Sequence, residues 1–126
     1  MNVVDSSGWL EYFSDGPNAA HFSAPLEAVQ SLVVPVMSIY EVFKVLLREA
    51  GEDAALQGAL VMQRAHAVVD LTPWLAMSAA SLGLEYSLPM ADSIILASAH
   101  AYKATLWTQD IDFKGIDNVK YFPKGS

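Results

Sequence analysis

Short apolar runs alternate along this chain with longer segments of helical spacing. Asn2-Val3-Val4, Leu32 to Val36, Val68 to Leu71, Thr105 to Thr108 and Val119 to Phe122 read as strands. Between them, Trp9, Leu10, Tyr12 and Phe13 recur at helical spacing until Asp15-Gly16-Pro17 breaks the pattern. The stretch from Asn18 to Gln30 reads as weakly helical, interrupted by Pro25. A strong helix is expected to begin at Ser38 and end near Gly51, and a second to run from Glu52 to Ala67. Pro73 and Pro89 each open a further helix, the first to about Tyr86 and the second through Tyr102. Parallel strands need long crossovers, and helical segments supply them here. The alternation therefore predicts an α/β fold of three layers, α/β/α, around a central, mostly parallel sheet of four to five strands. No linker or repeat divides the 126 residues, so residues 1–126 read as a single domain.

Acidic residues stand at or just past the ends of these apolar runs: Asp5, Glu41, Asp92 and Asp110. In open α/β sheets ligands bind outside the carboxyl ends of the strands, where strand order reverses. That rule brings Asp5 and Asp110 to one edge, with Glu41 and Asp92 in the first turns of the following helices. Read singly, each acid has a structural explanation. Asp5 suits a helix N-cap, and Ser38-x-x-Glu41 a capping box. Asp92 suits the positive end of a helix dipole, and Asp110 and Asp112 suit turns. Read jointly, four carboxylates on one edge would repel one another unless a cation neutralised them. Carboxylate oxygens are the ligands that Mg²⁺ and Mn²⁺ prefer, and such sites support phosphoryl chemistry. The pattern alone names no substrate.

Other features narrow the class. Cysteine is absent, which excludes disulfides and zinc–thiolate sites. His21, His66 and His100 lack metal-ligand spacing, and no phosphate-binding glycine loop or Gly-x-Ser-x-Gly elbow occurs. No uncharged run reaches the ~18 apolar residues of a membrane span, and no signal peptide is visible, so a cytoplasmic protein is expected. The net charge of −7 argues against a nucleic-acid binder, although acids engaged with metal ions blunt that exclusion.

The motifs, taken in order, resemble those of the PIN-domain ribonucleases, in particular VapC-type toxins of type II VapBC toxin–antitoxin pairs. Val4-Asp5-Ser6-Ser7-Gly8-Trp9 resembles the family's opening Asp-Ser/Thr-Ser motif. Pro35 through Val42 resembles the segment that carries the glutamate. Leu88-Pro89-Met90-Ala91-Asp92-Ser93-Ile94 is the most specific match, and Thr108-Gln109-Asp110-Ile111-Asp112-Phe113 resembles the closing motif. Trp107 is a departure, since a smaller aliphatic residue is usual there. The resemblance implies a PIN fold, with Asp5, Glu41, Asp92 and Asp110 as catalytic acids. It implies Asp5, Asp92, Asp110 and Asp112 around Mg²⁺ or Mn²⁺, with Ser6 and Thr108 orienting carboxylates. It further implies endoribonuclease activity, in which a metal-activated water hydrolyses RNA to a 5′-phosphate and a 3′-hydroxyl. A VapB-type antitoxin and a homodimer, assembled with antitoxin into a heterotetramer or larger, are the implied partners.

Lys44 and Arg48 share a helix face with Glu41, which suits contact with RNA phosphate or a solvated edge with a Lys44–Glu41 ion pair. Trp9, Tyr12, Phe13, Tyr40, Phe43 and Leu47 suit a groove for an antitoxin segment or ordinary core. Core is favoured for Phe13 and Leu47, and partner contact for Trp9, Tyr12 and Tyr40 because of their polar edges. A housekeeping PIN nuclease without antitoxin is the principal alternative. A receiver-like signalling domain shares the class and acidic pocket, but no late Thr/Lys pair completes its site. A phosphatase with Asp-x-Asp at the first strand is disfavoured, because that pair comes late here.

Overall fold

The computed structural model describes residues 1–125. Five short strands form: β1 (Asn2–Val4), β2 (Val33–Pro35), β3 (Ala67–Val69), β4 (Thr105–Thr108) and β5 (Val119–Tyr121). Six α-helices accompany them: α1 (Ser6–Phe13), α2 (Ala19–Glu27), α3 (Val36–Ala50), α4 (Glu52–Met62), α5 (Pro73–Tyr86) and α6 (Met90–Ala101). Every strand pairing is parallel. One ladder has the order β1–β4–β5 and the other β2–β3, and an Asn2–Leu32 bridge joins them. The combined order is thus β3–β2–β1–β4–β5. The chain leaves β1 in one direction and returns on its other side at β4, so the switch point lies between β1 and β4.

The pleat sorts the core into two layers, because successive side chains point to opposite faces. Val3, Val33, Val69 and Leu106 meet Leu75 and Ala79 of α5 and the Ile94–Ala97 turn of α6. Their sequence neighbours Val4 and Val34 turn the other way, onto Trp9, Phe22, Leu26, Val42 and Met62. Helices therefore cover both faces of a five-stranded parallel sheet, as the alternation predicts. Ser98 sits inside the first layer by donating its hydroxyl to the Ile94 carbonyl, 2.8 Å away.

Local boundaries depart from the sequence reading in places. α3 starts at Val36, with Pro35 as its N-cap and no side-chain cap. Ser38 lies inside the first turn, fully buried, and its hydroxyl has no partner. The expected Ser38–Glu41 capping box does not form, because the backbone turns helical three residues too early for Ser38 to cap it. α2 runs through Pro25 to Glu27, since Phe22, Pro25 and Leu26 are buried together and hold its last turn. α4 stops at Met62, and β3 begins one residue earlier than its apolar run. Thr72 caps α5 by accepting the Leu75 N–H at 3.2 Å, with Pro73 in the first turn. Gly51 joins α3 to α4 at φ 95°, a left-handed backbone that favours glycine.

Candidate active site

The first acid leaves β1 and enters α1 within one residue. Asp5 is the N-cap of α1, and its carboxylate accepts the Gly8 N–H at 3.3 Å. The capping reading of Asp5 therefore holds. α1 lies close on β1 because residue 8 is glycine. A Cβ there would stand 2.5 Å from Val4 Cγ1 and 2.9 Å from the Phe22 ring, both fully buried. The Asp5 N–H donates to the Trp107 carbonyl at 3.0 Å, which ties the end of β1 to β4 across the switch point. Ser7 donates its hydroxyl to Asp5 Oδ1 at 2.7 Å. Burial pushes the Asp5 carboxyl from 3.8 up to about 7, against hydrogen bonds from Ser7, Thr108 and the Gly8 amide.

β4 delivers the next pair. Thr108 is fully buried, and its hydroxyl oxygen accepts the Asp110 N–H at 2.8 Å. Asp110 caps a short 3-10 turn, Ile111–Phe113, by accepting the Asp112 N–H at 2.9 Å. This turn points Asp110 and Asp112 the same way. Asp92 comes from the first turn of α6. One carboxylate oxygen from each of Asp92, Asp110 and Asp112 lies within 4.8 Å of the others. Burial, followed by the charges of Asp110 and Asp5, pushes Asp92 up to about 7. Asp92 and Asp110 are half-buried and Asp112 is exposed, so the cluster opens to solvent on one side.

Glu41 stands apart from this trio. Its Oε1 accepts the Ser6 hydroxyl at 2.6 Å, which links the first turn of α1 to the first turns of α3. It also lines a cavity of about 490 Å³ with Val36, Met37, Tyr40, Met90 and Ala91. Among the described residues, the one ion pair is Arg48–Glu49 at 3.4 Å, and it involves none of these acids. The trio and the nearby Asp5 thus combine clustered hard oxygen donors, the raised carboxyls of Asp92 and Asp5, and no basic counter-charge among the described residues. A divalent cation such as Mg²⁺ or Mn²⁺ suits that donor set.

The remaining sequence candidates divide. Lys44 and Arg48 are exposed on α3. Lys44 Nζ lies 5.7 Å from the centre of the Tyr40 ring, and Arg48 pairs with Glu49, so the expected Lys44–Glu41 pair is not formed. Trp9 is 1% exposed and sits in the core, which corrects the expectation of a partner contact. Its helix presses that face onto β1, and the indole N–H ends without a partner. Leu47, expected in the core, is 46% exposed, because it faces away from the packed side of α3. Tyr12 is half-buried and donates its hydroxyl to Glu27 at 3.3 Å, while Tyr40 is 58% exposed. Trp107 fits by donating Nε1–H to Asn2 Oδ1 at 2.9 Å beneath the Lys120 ammonium.

The sequence reading did not single out Ser7 and Gln109. Gln109 is buried and donates from Nε2 to the Ser7 carbonyl and Glu11, while accepting from Asn18 at 3.0 Å. The signal for Ser7 was present in the run Asp5-Ser6-Ser7, since a hydroxyl two residues past an N-cap aspartate reaches that carboxylate. No local signal marks Gln109, whose partners are about a hundred residues away.

A family model of the PIN domain matches residues 3–119. No curated protein matches the chain. Among solved structures, the fold is similar to a toxin–antitoxin complex from Klebsiella pneumoniae. There the TM-score is 0.80 at 21% identity, covering 98% of this chain and 99% of that one. It is also similar to VapC20 of Mycobacterium tuberculosis, a sarcin–ricin loop cleaving toxin, with a TM-score of 0.71 at 14% identity over 90% and 92%. VapBC2 from Rickettsia felis, bound to a DNA fragment from its promoter, gives a TM-score of 0.71 at 17% identity over 97% of both chains. Among the described residues, no helix is long and apolar enough to cross a membrane.

Proposed function

The chain belongs to the PIN-domain family, and on that premise we propose that it is a Mg²⁺- or Mn²⁺-dependent endoribonuclease, the toxin of a type II toxin–antitoxin pair. The whole chain acts as one catalytic domain in this reading. The observation that carries it is the convergence of Asp92, Asp110 and Asp112 within 4.8 Å, beside the buried Asp5 at the switch point.

In this reading Asp92, Asp110 and Asp112 hold the cation, and Asp5 completes its surroundings. When bound, the cation would polarise the scissile phosphate and lower the pKa of the attacking water. The chain supplies the rest. Ser7 and the Gly8 amide fix the Asp5 carboxylate, and Thr108 fixes the Asp110 backbone. Ser6 holds Glu41 by Oε1, and Glu41 orients the attacking water and accepts its proton. The water oxygen bonds to phosphorus while the bond to the 3′-oxygen breaks. That oxygen takes up a proton, leaving a 3′-hydroxyl and a 5′-phosphate.

The antitoxin reading has its own support. A cavity of about 450 Å³ lies between α1 and α3, lined by Leu10, Phe13 and Leu46, with the acids Glu11 and Glu49 outnumbering the one cation, Lys124. Apolar side chains of a VapB-type tail fill such a groove, and its basic residues meet the acidic rim. The neighbouring toxin–antitoxin structures favour this partner. The test is RNA 5′-end sequencing after induced expression, beside an Asp92→Asn control. New 5′-phosphate ends are expected with the parent chain and are lost in the control. Cleavage that persists unchanged in the control sinks the assignment.

A further inference from the structure

Beside Asp110, outside the acidic trio, lies a cavity of about 260 Å³ lined by Gln109, Asp110, Ile111, Tyr121 and Lys124. Its wall is made by two strands in register. Tyr121 of β5 lies opposite Thr108 of β4, and the Phe122 N–H donates to the Thr108 carbonyl at 2.9 Å. Thr108 in turn receives the Asp110 N–H. Two hydrogen bonds therefore separate the β5 backbone beside Tyr121 from the acid at the centre of the site. The pleat gives Leu106, Thr108, Val119 and Tyr121 a common side of the sheet, the side against which α6 packs and from which Asp92 comes.

The lining has an uncommon composition for an acidic protein. It joins an aromatic ring, an exposed ammonium and an aliphatic side chain that is 68% exposed. Lys114 adds a second cation, 5.9 Å from the centre of the Tyr121 ring. The chain has only seven basic residues, and Lys114 and Lys124 bring two of them to this side of the sheet, while Lys120 lies on the other, over Trp107. A polyanion approaching a carboxylate cluster needs such cations at its flank. Aromatic rings beside basic residues are the usual platform for an unstacked base.

We propose that this cavity is a subsite for one unpaired nucleotide of the RNA, next to the cleaved phosphate. The base stacks on Tyr121 and packs against Ile111, while Lys124 meets a phosphate. The proposal rests on the nuclease reading and deepens it, because it names the side chains of this protein, Tyr121, Ile111 and Lys124, that hold one nucleotide beside Asp110.

The test measures binding of a fluorescein-labelled single-stranded RNA dodecamer by anisotropy, in the full chain carrying Asp92→Asn, with the duplex as a second probe. Tyr121→Leu is expected to weaken single-strand binding about tenfold, the usual effect of losing one stacked base. Tyr121→Phe keeps the ring and should bind like its parent, and Lys124→Ala should weaken binding and flatten its salt dependence. The duplex should bind more weakly than the single strand. Equal binding by Tyr121→Leu and its parent overturns the subsite, as does equal loss in Tyr121→Phe and Tyr121→Leu, or no binding by the parent. Cleavage by the chain with Asp92 intact, in Mg²⁺ or Mn²⁺, is scored separately. Its absence overturns the nuclease reading, while the subsite is still decided by the binding series.

Discussion

At the scale of single residues, one carboxylate serves two purposes. Asp5 caps α1 and also stands at the switch point, buried to 2% exposure. Burial raises its pKa, and burial with neighbouring charge raises that of Asp92, each from 3.8 to about 7. The folded chain thus binds these protons more tightly than the unfolded chain does. Without metal, the associated stability is fully present below about pH 4 and is lost as pH rises through about 7. The metal-free protein should therefore melt lower at pH 8 than at pH 5. Mg²⁺ should raise the melting temperature more at pH 8, where the ligands are ionised. Asparagine caps a helix as well as aspartate does, so Asp5→Asn keeps the cap and removes the charge. Its metal-free melting temperature at pH 8 should exceed that of the parent, and its gain from Mg²⁺ should shrink. Calorimetry at both pH values checks this, and a metal-free melting temperature flat from pH 5 to 8 would count against it. The four candidate acids could be picked out from their places after apolar runs, whereas the cluster of Asp92 and Asp110 with Asp112, and the position of Glu41 apart from it, came from the fold. Their hydrogen-bond partners were less legible: Ser6 reaches Glu41 from 35 positions away.

At the scale of elements, helices are settled by what they press against. α1 turns Trp9 into the core because Gly8 lets it lie close on β1. A helical-spacing reading finds the apolar face of such a helix but not which aromatic will be sealed. α5 shows the reverse. The run from Leu71 to Leu84, most of it in α5, carries no charge, yet Trp74, Met77 and Leu84 are 73%, 62% and 87% exposed. Met90, at the start of α6, is 74% exposed and joins the same apolar surface through the cavity lined by Leu71, Leu84 and Leu88. An exposed patch of this kind marks an interaction surface. It is a candidate face for the homodimer that the family resemblance implies. Leu84→Glu removes apolar contact without touching the core, and should convert a dimer to a monomer in sedimentation with its circular dichroism unchanged. A parent chain that sediments as a monomer, or a variant that remains a dimer, excludes this face as the interface.

At the scale of the whole molecule, the charge distribution matters more than its sum. A net charge of −7 would oppose RNA at long range, so in the proposed reading exposed cations do the guiding. Lys44 and Arg48 are exposed on the helix that carries Glu41, and neither is bonded to it. If both contact phosphate, replacing them with alanine should lower the slope of log affinity against log salt by about 1.4, at roughly 0.7 per lost contact on a single strand. An unchanged slope across the salt series removes them from the RNA path. The exposed Arg48–Glu49 pair contributes little to stability, so the double variant should fold normally.

The strand–helix alternation, the parallel class of the sheet and the candidate acids were determined by the sequence alone. These follow from short-range chemistry: pleat, helical spacing, and acids just after apolar runs. Only the tertiary structure decided which acids converge, for that depends on strand order. Asp92 and Asp110 come together because β4 returns beside β1 and α6 packs beneath it. The same packing sealed Trp9, left Trp74 and Leu84 in solvent, and opened a cavity beside Asp110 between residues 109 and 124. Burial is a property of neighbours distant in the chain, and no local pattern specifies them.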